Sequence, residues 1–241
     1  MQSHAKVWVR SLVVATLAGT LGWAQAVAPV TEAMQLANAP YRMALFKTNG
    51  TSQSEALLAL VQAQAAWDKL AQQFMAKVPA PYDRDAAFGA SVAAVAKVYT
   101  QAQSEINAGD LKAAHNTLEE ARDIMSELRR RNQVVVFSDH MNTYHEVMEH
   151  VMVDGADTLA KPQGMLRLTM QVGVLRHTAD RLRTQAPEAL TQKPEFMALL
   201  QAVQQSVTQL EEAVLAQDSA AAKAAIGKLK GPYSKLFAKF G

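Results

Sequence analysis

The segment SDHMNTYHEVMEH, residues 138–150, holds three of the chain's six histidines, two methionines and three acidic residues. Wound as a helix of 3.6 residues per turn, it separates into faces. Phe137, Met141, Tyr144, Met148 and Val151 form an apolar seam. His145, Glu149 and Met152 run along one shoulder of that seam, beside Met141 and Met148. His140 lies near Tyr144 on the other side, and Asn142, Glu146 and His150 turn toward expected solvent. Imidazole suits copper, zinc, iron and nickel, while thioether sulfur favours reduced copper. The candidate metal ligands are therefore Met141, His145, Met148, Glu149 and Met152, with His140 and His150 in support and copper as the first choice. Completing ligands are sought in His177 with Met170, or in His115 with Glu119 one turn later.

The same residues admit a plainer reading. Methionines at seam spacing fill irregular core gaps, and a histidine one turn from a glutamate is a common solvated pair. The segment also misses the known catalytic patterns. His-Glu-x-x-His needs a second histidine where this chain has Glu149. The Glu-x-x-His of di-iron bundles fails because Glu146 is followed three residues later by Glu149, with His150 four away. There is no glycine-rich phosphate loop, so the reading is binding rather than catalysis. Protons and metal compete for imidazole, which makes affinity fall below pH ~6.

These side chains need a scaffold, and nearly all of it reads helical. Alanine, leucine, glutamine and glutamate are abundant, and the 241 residues include only 11 glycines and 8 prolines. Apolar residues recur at helical spacing in two series, Phe88, Val92, Val95, Tyr99, Ala102, Ile106 and Phe196, Leu200, Val203, Val207, Leu210, Val214. The second series lies 108 residues after the first, and the same offset carries Pro79 onto Pro187 and Asp110 onto Asp218. The expected fold is all-α, a tandem duplication of an antiparallel four-helix-bundle unit, with units at 27–133 and 134–241. Helices are expected at 30–46, 52–77, 84–107 and 110–131, and again at 137–155, 160–185, 193–216 and 218–239. Asp110 and Asp218 are expected N-caps.

Residues 1–26 read as an export signal: Lys6 and Arg10, the apolar run Ser11 to Gly22, then the small-residue site Ala24 to Ala26. Export makes the expected location periplasmic. Removing 26 residues of 241 leaves 215, and the segment takes two of the 24 basic residues with it. The remainder carries 22 basic against 22 acidic residues, which gives no electrostatic case for nucleic acid. No other stretch is long and apolar enough for a membrane anchor. With no cysteine, disulfides, thiolate metal sites and covalent c-type haem are excluded together.

The stretch INAGDLKAAHNTLEEARDIMSELRRR, with the helix before it, resembles the second half of the cytochrome c-prime superfamily, especially its soluble periplasmic b-type members. LAQDSAAAKAAIGKLKGPYSKLFAKF is similar again. The resemblance covers about 45 residues in each unit and implies an exported antiparallel four-helix bundle. It would also place a haem-binding histidine near Arg129 and near Phe237, and neither is histidine. The fold is expected to carry over without that haem site, which leaves non-covalent haem held elsewhere, for example through His145 and a methionine, as a lesser alternative. A rival expectation is a cofactor-free scaffold that uses an apolar groove or the unit junction for a periplasmic protein partner.

Overall fold

The computed structural model describes residues 28–241. The expected export signal lies outside the described residues. Within them the chain is helical, without a strand. The helices are α1 (Pro29–Thr48), α2 (Gln53–Phe74), α3 (Phe88–Asn107), α4 (Leu111–Arg131), α5 (Phe137–Ala160), α6 (Gly164–Thr184), the short α7 (Glu188–Thr191), α8 (Pro194–Leu215), α9 (Ser219–Ile226) and α10 (Lys230–Phe240).

Local chemistry sets several of these ends. Ser52 caps α2 by accepting from the Glu55 amide. Asp110 caps α4 through Ala113 at 2.9 Å, and Asp218 caps α9 through Ala220 and Ala221 at 3.0 and 2.9 Å. Each gives an oxygen to first-turn N–H groups that have no partner inside the helix. The turns before these caps use the left-handed region at Gly109 (φ +82°) and Gln217 (φ +55°).

Packing follows the apolar stripes. All twelve residues of the two series on α3 and α8 are buried, from Phe88 to Ile106 and from Phe196 to Val214. Helix α1 packs on α2, α3 on α4, α5 on α6, and α6 on α8. Helix α1 also lies against α4 and α10, which brings the first and last described helices together. The apolar interior is one continuous cluster reaching from Val30 to Phe237. Trp67 sits inside it and donates its indole N–H to the Val92 carbonyl at 2.9 Å.

The structure adds three features to the sequence reading. The helix expected over 218–239 is two pieces, α9 and α10. Between them, Lys228 and Leu229 donate to Ala225 and Ile226 in tight three-residue turns, and Pro232 enters the first turn of α10. Proline has no N–H and is tolerated there, whereas it would break an uninterrupted helix. Second, arginines closing α4 make specific ion pairs. Arg129 is buried, and its Nε donates to Asp139 Oδ1 and Oδ2 at 3.0 and 3.1 Å. Arg131 reaches Asp85 at 3.0 Å. Third, buried Arg42 of α1 donates to the carbonyl of Gly241 and to that of Lys239 at 3.3 Å, fastening α1 to the end of α10. Burial lowers the pKa of Arg42 to about 10.

Candidate functional site

Helix α4 carries His115, Glu119 and Arg122 at spacings of four and three, so they share one face. That face meets His145 of α5, Lys230, Tyr233 and Phe237 of α10, and Leu45, Phe46 and Asn49 at the end of α1. The cleft between these elements is small, about 40 Å³. It has room for an ion or a water and not for an organic cofactor.

His145 is held on three sides. Its ring stacks on Tyr233 with centroids 5.2 Å apart and planes 17° apart. Arg122 Nη1 lies 2.9 Å from its Nδ1. A guanidinium only donates, so Nδ1 must accept and the ring proton sits on Nε2. Nε2 then faces Glu149 Oε1 at 3.4 Å. That hydrogen bond, with the Lys230 ammonium at 3.3 Å, holds the Glu149 carboxyl down to about 2.

His115 has the opposite tautomer. Its Nδ1 is 3.1 Å from the Leu45 carbonyl, which only accepts, so Nδ1 carries the proton. Thr48 Oγ1, 3.2 Å away, donates its own proton back along α1 and can accept there too. The bare Nε2 faces the cleft, 3.4 Å from the Asn49 amide nitrogen and 3.8 Å from Glu119 Oε1. Burial pulls the pKa of His115 below the usual histidine value and favours this neutral ring.

The remaining candidates scatter. Met141, Tyr144, Met148 and Val151 are fully buried, so the seam lies where the sequence puts it. The Met141 carbonyl accepts from the Tyr233 hydroxyl at 3.3 Å. Met152 packs partly buried on the core. None of the three methionines lines the cleft beside His145. His140 is half-buried on the other side, where burial and then the charge of Arg181 lower its pKa. His150 is exposed and 2.9 Å from Asp154. His177 and Met170 are exposed on α6 and contribute nothing to the cleft, contrary to the pairing sought from sequence. Arg122 turns inward between Glu119 (3.4 Å) and His145. Among the described residues no three histidine, aspartate or glutamate side chains converge as a metal-binding group.

A wider groove of about 550 Å³ runs along α4 and α5, past Arg122, Asp123, Glu127, Arg130 and Glu146. The positions that the cytochrome resemblance would align with a haem ligand hold Arg129, bound to Asp139, and Phe237, stacked on Tyr233. No described helix is long and apolar enough to cross a membrane. Compared with family models, curated proteins and solved structures, the chain matches none.

Proposed function

We propose that this is an exported, periplasmic protein of two related four-helix units that binds a transition-metal ion in the cleft between them, for sequestration or delivery. The observation that carries the reading is the pair His115 and His145: two imidazoles from different units, entering one ion-sized cleft. The Leu45 carbonyl fixes the far ring nitrogen of His115, and the Glu149 carboxylate, 3.4 Å away, faces that of His145. Ligating histidines are oriented in this way by carbonyls and carboxylates. Duplication is supported by register: α1 to α4 begin at 29, 53, 88 and 111, and α5, α6, α8 and α9 at 137, 164, 194 and 219. A unit of this kind is in keeping with the cytochrome c-prime resemblance, stripped of its haem ligand.

The metal preference narrows. With Met141 and Met148 fully buried, the donors offered are nitrogen and oxygen. Such donors suit Cu(II), Zn(II) and Ni(II) better than Cu(I). Copper stays in the proposal as its oxidised ion. Calorimetric titration of the full chain with Zn(II), Cu(II), Ni(II) and Cu(I), beside His115→Gln, is the test. Binding of the divalent ions that weakens tenfold or more (about 10–100-fold is usual for such losses) in His115→Gln is expected. Equal binding by both proteins overturns the reading.

A second reading, a cofactor-free interaction protein, is favoured by one observation. Leu166, Met170 and Val174 form an exposed stripe along α6, with exposed Val153 on the adjoining α5. Apolar surface of this kind marks contact sites. Absence of any metal binding, with a partner crosslinked through α6 in a periplasmic extract, would favour it.

A further inference from the structure

Residues 219–241 carry five lysines, Lys223, Lys228, Lys230, Lys235 and Lys239, and no acidic residue. In a chain of 24 basic and 22 acidic residues this separates the charges locally, although the whole is close to balance. The segment folds as α9 and α10, which turn their apolar residues, from Ala222 to Phe237, against α8 and α5. What it leaves exposed is lysine, alanine, glycine and serine only.

The apolar period runs through the break between the two helices, so helical spacing places the lysines. Lys228, Lys235 and Lys239, at intervals of seven and four, stand on the outward ridge opposite buried Tyr233. Lys223 and Lys230, also seven apart, share one flank of it. No large side chain rises among them, and the space beyond Gly231 is open for at least 4 Å. Lys230 is tied to Glu149 at 3.3 Å and Lys239 to Glu195. Lys223, Lys228 and Lys235 make no ion pair among the described residues.

We propose that this lysine ridge docks the protein on an anionic phospholipid surface. The unpaired ammonium groups call for negative charge, and the composition of the ridge selects its source. Protein interfaces centre on aromatic and apolar anchors and are depleted in lysine, serine and alanine, which are the residues exposed here. A second copy would set like charges against each other. Nucleic-acid surfaces add arginine, amide side chains and stacked aromatics to their charge, and the ridge exposes none of these. Headgroup phosphates on a fluid surface need only long, mobile cations that can come close. The alanines and glycines between the lysines permit that approach. No described helix is long and apolar enough to cross a membrane, so the contact is peripheral and electrostatic.

The test is co-sedimentation of the full chain with vesicles in EDTA, which keeps the outcome separate from metal binding. Vesicles of phosphatidylcholine with about one-third phosphatidylglycerol are compared with phosphatidylcholine alone, at low and high salt. Binding is expected to the anionic vesicles only, and to be lost at high salt because exposed charges are screened. Each lysine near such a surface contributes about fivefold in affinity. The triple variant Lys223→Gln/Lys228→Gln/Lys235→Gln is therefore expected to bind about a hundredfold more weakly. A control with the same loss of charge, Lys69→Gln/Lys77→Gln/Lys97→Gln in the first unit, is expected to stay within about fivefold of the wild type. All six positions are exposed and glutamine keeps helix propensity, so both variants should melt like the wild type. Equal binding to the two kinds of vesicle, binding to neither, or an equal loss in both variants overturns the proposal. So does lysine-dependent binding to a single-stranded oligonucleotide with none to vesicles, which would make the ridge a nucleic-acid surface.

Discussion

His115 and His145 enter the cleft with opposite ring nitrogens protonated, and two groups here respond to acid, the His115 ring and the Glu149 carboxylate. Burial lowers the pKa of His115, so the folded state prefers the neutral ring. Stability from this group is fully present above the ordinary histidine value of about 6.5 and falls as pH drops below it. Glu149 behaves in the usual carboxylate sense: held at about 2 by His145 and Lys230, it stabilises the fold above its ordinary 4.5 and loses that contribution as pH falls toward 2. The carboxylate is about one-third exposed, so solvent screening keeps its share small. The melting temperature is therefore expected to fall in two limbs, from pH 7 to 5 and from pH 4.5 to 2. Thermal melts of His115→Gln should flatten the first limb and those of Glu149→Gln the second. An unchanged first limb in His115→Gln would remove that residue as its cause. The faces of residues 137–152 were legible because helical periodicity alone assigns Met141 and Met148 to the core and His145 to its margin. The tautomers were not, since His115 takes its proton position from Leu45, 70 residues away.

At the scale of elements, the link from α4 to α5 is chemical as well as covalent. Asp139 accepts from Arg129, from the Ser126 hydroxyl at 3.0 Å and from the Val136 amide at 3.0 Å, so one carboxylate ends α4 and starts α5. Removing one partner of a buried pair leaves the other charge without compensation. Asp139→Ala is expected to destabilise the protein by about 3–5 kcal/mol in urea unfolding. A loss below about 1 kcal/mol would mean that Arg129 finds another partner or water. Most elements could be placed from sequence. Asp110 and Asp218 announce their helices because short side-chain oxygens compete well for first-turn amides. The break between α9 and α10 was missed because the apolar period passes through it: Ile226, Leu229, Tyr233 and Leu236 are all buried. Pattern alone does not register where the backbone tightens, and Pro232 was the available sign.

At the scale of the molecule, the account depends on two halves closing on one cleft. Arg42 reaching Gly241, Arg129 reaching Asp139 and Arg122 reaching His145 all tie residues before 133 to residues after it. An all-helical chain was legible from composition and period. The closeness of α4, α5 and α10 was not, because it depends on where long-range polar groups find partners. Those contacts bring His115 and His145 to one small cleft. A crystal of the full chain soaked in Zn(II), with anomalous differences measured across the zinc edge, tests this most directly. The expected result is one strong peak in the cleft that His115 and His145 line. Zinc found only at surface pairs such as His150 with Asp154 would contradict it.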